Sequence, residues 1–235
     1  MNFDSISTIA FDADDTLWVN ETYFRDTEAR FAALLDRFET QNTLDQQLFL
    51  KEMQNLPVYG YGIKGFMLSM VECAIEISNG HVSTAEIQSI LTMGKEMIEH
   101  PVELLPGIET VLQQLQDRYR LLVLTKGDLL DQERKLAASG LGAYFHHVEV
   151  MSDKTPEKYQ RLLEHLEINP NEFLMIGNSL KSDVLPIIKI GAKAIHIPFH
   201  TTWAHEQVSD GEAERADYLT ISNALELLDL LPIRA

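Results

Sequence analysis

The feature that most constrains how this chain folds is an alternation: short apolar runs recur with stretches of helical periodicity between them. Residues 6–11 read as a buried strand, followed by further strands at 120–125, 147–151, 173–176 and 192–198. Helical patterns fill the intervals at 108–117, 129–139, 156–166 and 183–190, and a last helix is expected over 223–231. Gly140 and Gly191 stand where helix C-termini favour a residue tolerant of positive φ. Apolar strands alternating with helices predict an α/β fold, a parallel sheet with helices on both faces.

One interval breaks the rhythm. Residues 18–100 separate the first strand from the rest, 83 residues where a helical crossover needs about a dozen. That interval itself looks helical, at 28–38, 45–53, 64–77 and 83–98, and Ser83 followed by Glu86 is a capping-box pattern. It reads as a small helical domain, 18–100, inserted into an α/β core made of 1–17 and 101–235. Residues 20–23 serve as the outgoing hinge, and Pro101, Pro106 and Gly107 mark the return. Cys73 sits in an apolar helix pattern and reads as buried packing.

Composition narrows the partners. The 235 residues carry 19 basic and 36 acidic side chains, a net charge of −17, so nucleic acid polymer is an unfavourable partner. The densest basic stretch, Arg134 and Lys135, is already mixed with Glu133. No apolar run approaches the roughly 18 residues that span a bilayer, and Met1-Asn2-Phe3-Asp4 lacks the basic region of a signal peptide. A single cysteine makes no internal disulfide and favours a reducing compartment. The expectation is a cytoplasmic globular protein with no membrane partner; the residues give no reading of oligomeric state.

In an open parallel sheet, ligands bind beyond the carboxyl ends of the strands, and four strand ends here carry reactive residue types. The first runs into Asp12-Ala13-Asp14-Asp15-Thr16-Leu17. A cap or turn explains one of these acids, but packing asks for no pair such as Asp12 and Asp14. The second ends Thr125-Lys126-Gly127, a hydroxyl and a glycine at a helix start, suited to hold an anion. The third leads to Lys154 just before a helix, and the fourth to Gly177-Asn178 with Asp183 five residues on, oxygen ligands for a hard cation. Each of the last three is modest alone; their coincidence on successive strand ends is not.

With these residues in place, the whole chain resembles the haloacid dehalogenase (HAD) superfamily of hydrolases. Asp12 to Leu17 matches its DxDxT signature; Thr125, Lys154 and the 177–183 segment match its second, third and fourth motifs. The resemblance implies a Rossmann-like three-layer sheet of order 5-4-1-2-3, with the insert as a helical C1 cap. It also implies Mg²⁺ as cofactor, with Asp12, the main-chain carbonyl of Asp14, and Asn178 or Asp183 as ligands. Asp12 is then the nucleophile that forms an aspartyl-phosphate. Asp14 is the acid that protonates the leaving alkoxide and the base that activates water, a task for a carboxyl whose pKa is lifted, as crowding by acids would do. Thr125, with Lys126 and Gly127, holds the phosphoryl oxygens, and Lys154 neutralises charge on the nucleophile.

The fourth motif departs from the family's usual Gly-Asp, and Asn178 removes one negative charge from the metal site. Asparagine near this position also occurs in the 2-haloacid dehalogenase branch, which uses no metal. Asp14 argues the other way, because a departing halide needs no acid; dehalogenases and phosphonatases typically lack that second acid. The expected function is hydrolysis of a small phosphorylated metabolite, a sugar phosphate or nucleoside monophosphate. A dehalogenase, a phosphomutase and a non-catalytic binding protein of the same fold are the alternatives. In the insert, glycines alternate with aromatics over 58–66, and Tyr59, Tyr61 and Lys64 are candidates to touch the leaving group; a plain interhelical connection is the other reading. His196, His200 and His205 lack the tight spacing of a structural zinc site.

Overall fold

The computed structural model describes residues 2–209, 211 and 217–231. β1 (Thr8–Phe11), β2 (Arg120–Lys126), β3 (His147–Met151), β4 (Phe173–Gly177), β5 (Lys193–His196) and β6 (Leu219–Thr220) form one sheet in the order β3-β2-β1-β4-β5-β6. All its pairings are parallel. This is the expected 5-4-1-2-3 order seen from the other edge, with one strand added. β6 has two residues, too few to show a periodicity, and went unread in the sequence.

The sheet is buried on both faces, as the near-continuous apolar strands require. Alternate residues of β1 point to opposite layers. Ile9 and Phe11 pack with Val111, Leu112 and Leu115 of α5 (Ile108–Leu115), while Ala10 joins Leu162 and Leu163 of α7 (Pro156–His165) and Ile187 of α8 (Leu185–Lys189). α6 (Leu129–Ser139) follows β2, and α9 (Leu227–Leu230) closes the described chain. Full burial of each such aliphatic side chain contributes about 1.5–3 kcal/mol.

The described residues fall into two compact units: one within 1–21, 102–126 and 134–235, the other within 22–101 and 127–133. The second is helical, with α1 (Glu21–Leu34), α2 (Gln41–Tyr59), α3 (Ile63–Ile77) and α4 (Thr84–Glu99). Its own core holds Phe31, Leu35, Leu44, Leu48, Phe66, Met70, Cys73 and Ile90. Ser83 and Glu86 complete the capping box at the start of α4.

Three details differ from the sequence reading. The hinge placed at 20–23 is largely helix, because α1 begins at Glu21, seven residues earlier than expected. The reason is Asp15, whose carboxylate accepts the N–H groups of Asn20 (2.8 Å) and Glu21 (3.0 Å) from well upstream. The 58–66 stretch is mostly helix too, since α2 runs through Pro57 to Tyr59 and α3 starts at Ile63, leaving a short link at 60–62. The 183–190 helix is preceded by a π-helical turn, Leu180–Val184, in which the Leu185 N–H donates to the Leu180 carbonyl.

Candidate active site

Parallel register brings the reactive strand ends together. Phe11 pairs with Val123 of β2 and with Ile176 of β4, so Asp12, Thr125 and Asn178 emerge at one end of three adjacent strands. The Asp12 N–H donates to the Ile176 carbonyl at 2.9 Å, holding the chain there. Lys154 follows β3 and is fixed by the start of α7, where Thr155 is the N-cap and Pro156 opens the helix.

Lys154 is buried, with 1% of its side chain exposed, and its ammonium donates to Asp12 Oδ1 at 2.5 Å and Asp183 Oδ1 at 2.6 Å. Burial acts to lower its pKa, but the two carboxylates outweigh that and hold it well above the ordinary lysine range. Burial pushes Asp12 up to about 7; Lys154 opposes the rise, while the Asp183 and Asp14 charges add to it. Asp183 has both oxygens engaged, Oδ1 with Lys154 and Oδ2 accepting the Ser179 N–H at 3.0 Å. It lies so close to Gly177 that a Cβ there would come within 2.2 Å of Asp183 Oδ2, which accounts for the glycine.

Of the expected metal ligands, Asp12, the Asp14 carbonyl and Asn178 are brought together. The Asn178 amide faces Asp12 Oδ2 at 3.2 Å and the Asp14 main-chain oxygen at 3.3 Å. With its NH₂ turned inward it donates to both. With its oxygen inward, it would join Asp12 Oδ2 and the Asp14 carbonyl as an all-oxygen donor set of the kind Mg²⁺ takes. Three carboxylates, Asp12, Asp14 and Asp183, face two ammonium groups, Lys154 and Lys135, so the donor set has the sign and chemistry for a cation. Among the described residues no three His, Cys, Asp or Glu side chains group as a metal site, so these ligands form a mixed set of carboxylate, carbonyl and amide. The histidines contribute no such group: His196 Nε2 is 3.0 Å from the Asn178 carbonyl, and His205 Nε2 is 3.3 Å from Lys181.

The three acids of the first strand end divide their work. Asp15, at φ 60°, caps α1, and burial pushes its carboxyl up to about 8. Asp14 Oδ1 accepts the Trp18 indole N–H at 2.8 Å and the Lys135 ammonium at 2.6 Å. Thr125 is buried, and its hydroxyl donates to the Lys126 carbonyl at 3.2 Å. Lys126 turns to Glu206, at 2.5 Å, and to Ser182 Oγ, at 2.8 Å. In the helical unit, the Tyr59 hydroxyl donates to Glu72 at 2.7 Å and Lys64 pairs with Asp128 at 2.8 Å; Tyr61 lies in the 60–62 link, and Gly127 just after β2.

Sequence reasoning missed Trp18, Lys135 and Glu206. α6 did carry a signal: its amphipathicity is inverted, with Leu129 and Leu130 exposed while Asp131 and Gln132 are buried. Glu206 carried none, since its partners lie 24 to 80 residues away.

A family model for haloacid dehalogenase-like hydrolases matches residues 6–191. The chain belongs to that family. A haloacid dehalogenase-like family hydrolase from Xanthomonas campestris has the same fold, with TM-score 0.84 and 34% identity over 98% of this chain and 94% of its own. Among curated proteins, human N-acylneuraminate-9-phosphatase is 27% identical over 130 residues, 53% of this chain and 50% of its own. Glyceraldehyde 3-phosphate phosphatase of Pyrococcus furiosus is 25% identical over 132 residues, 54% of this chain and 53% of its own. The chain thus spans about half the length of these curated relatives. Among the described residues, no helix of this family member is long and apolar enough to cross a membrane.

Proposed function

We propose that this chain is a Mg²⁺-dependent phosphomonoesterase acting through an aspartyl-phosphate on a small phosphorylated metabolite. The observation that carries the reading is the pairing of Asp12 with buried Lys154, next to a second acid, Asp14, held by its own donors. One Asp12 oxygen attacks phosphorus, and the bond from phosphorus to the ester oxygen breaks. Asp14 gives its proton to the leaving alkoxide. It then takes one from water, whose oxygen attacks the same phosphorus and releases inorganic phosphate and free Asp12. Lys154 faces the nucleophile throughout, and Asp183 holds Lys154 in line. Thr125 and the N–H groups that follow it, at Lys126 and Gly127, are assigned to the phosphoryl oxygens. Asp12, the Asp14 carbonyl and Asn178 or Asp183 would hold Mg²⁺, which would supply the positive charge that lets a carboxylate approach a phosphate dianion.

The helical unit is assigned the part of the substrate-selecting cap, with Tyr59, Tyr61 and Lys64 as its candidate contacts. Both curated relatives are phosphatases named for a small-molecule substrate, so a phosphorylated sugar or sugar acid heads the candidates, ahead of nucleoside monophosphates. Asn178 favours one second reading, a metal-free 2-haloacid dehalogenase; Asp14 and its donors speak for the phosphatase. The test is inorganic phosphate release from a panel of phosphomonoesters, with and without Mg²⁺, for the parent chain, Asp12→Asn and Asp14→Asn. Metal-dependent turnover abolished in Asp12→Asn and strongly reduced, but still measurable, in Asp14→Asn is expected. No release from any ester, with a 2-haloacid dehalogenated without metal, overturns the reading.

A further inference from the structure

Asp14 is asked to deliver a proton in one half of the reaction and remove one in the other, so its carboxyl has to stay facing the reacting atoms through both. A lone aspartate rotates and exchanges its two oxygens freely. Here Oδ1 is fixed by two donors, the Trp18 indole and the Lys135 ammonium. Lys135 also donates to Asn20 Oδ1 at 3.2 Å, so it ties the acid to the turn that runs from residue 14 to 20. Its side chain is 16% exposed, on a helix that leaves Leu129 and Leu130 exposed to solvent. The stem is mostly buried and the ammonium is committed to Asp14 and Asn20.

We infer that Lys135 is the positioning residue for Asp14. With Oδ1 accepting from both an ammonium and an indole N–H, the Asp14 carboxyl is held in one orientation. Lys135 therefore keeps that orientation through the two half-reactions. It touches no reacting atom itself. The inference rests on the phosphomonoesterase reading and adds to it a residue from α6, outside the four strand-end motifs.

The test uses p-nitrophenyl phosphate with Mg²⁺, whose aryloxide departs with little help from an acid. Lys135→Met should keep a stoichiometric p-nitrophenolate burst while steady-state turnover falls about 10–100-fold, as expected of a misplaced catalytic group. KM should stay within about twofold, and Lys135→Arg should restore most of the turnover. In an Asp14→Asn background, Lys135→Met should cost nothing further. Thermal melts establish that each variant is folded, and Lys135→Gln substitutes if the methionine variant is not. Unchanged turnover, a lost burst, or an undiminished effect in the Asp14→Asn background overturns the inference while leaving the phosphatase reading intact. A parent chain inactive on every ester overturns that reading, and this inference with it.

Discussion

Two buried ion clusters lie at the strand ends, and they are tuned in opposite directions. Around Lys154, one ammonium serves two carboxylates, and burial with the neighbouring Asp183 and Asp14 charges pushes Asp12 up to about 7. Around Glu206, one carboxylate receives Lys126 and the hydroxyls of Ser179 and Ser182. Burial alone would raise Glu206, but these donors win and bring it down to about 2. The first cluster is short of positive charge and the second is fully matched. That contrast separates the proposed reactive centre from a brace: the brace ties the segment after β5 to the end of β2 and to the π-helical turn.

The largest expected effect comes from breaking the first cluster. Lys154→Met should lower turnover by about 10²–10³-fold, the scale of losing one preorganised donor. It also leaves Asp12 and Asp183 buried without their cation, a change that typically costs about 3–5 kcal/mol. Asp12 can relieve part of this by taking a proton, so the loss measured by urea unfolding should be smaller at pH 6 than at pH 8. Equal losses at both would mean that Asp12 does not hold a proton near neutrality.

Glu206→Gln breaks the second cluster, and its signature is stability more than rate. Glu206 titrates lower in the folded chain than when unfolded. Its contribution is therefore present above about pH 4.5 and lost as pH falls towards 2. The difference between parent and variant should be about 3 kcal/mol at pH 7 and should shrink through that window. Turnover should fall by less than about tenfold. A rate loss matching that of Lys154→Met, in a folded variant, would erase the distinction between the clusters.

What the sequence disclosed follows the same division. The apolar strands were legible because burial on both faces leaves little room for polar residues: Ile9, Ala10 and Phe11 are wholly enclosed. Each of the expected strand-end residues Asp12, Thr125, Lys154 and Asn178 stands at or just beyond a strand terminus, where local pattern alone locates it. What the sequence hid depends on distance along the chain. Lys135 reaches Asp14 across 121 residues and Glu206 reaches Lys126 across 80, and no local periodicity encodes such a meeting. Asp15 was hidden for another reason, since it caps a helix that begins six residues later, beyond the usual spacing of a cap.

The smallest effect, and the finest test of the contrast, is to supply the first cluster with the ligand charge it lacks. Asn178→Asp places a fourth carboxylate in the centre, beside Asp12 Oδ2 and the Asp14 carbonyl. Without metal it should depress the melting temperature slightly, because another acid joins a centre already short of positive charge. With Mg²⁺ the sign reverses, and the concentration for half-maximal turnover should fall about tenfold, the scale of one added ligand charge. On the proposed reading Mg²⁺ would compete with a proton for Asp12, so the Mg²⁺-induced rise in Tm should grow as pH passes upward through about 7 in the parent chain. If the metal response is the same with Asn or Asp at 178, the amide turns its nitrogen to the centre and is no ligand. The oxygen set around Asp12 would then have to be completed by Asp183, released from Lys154.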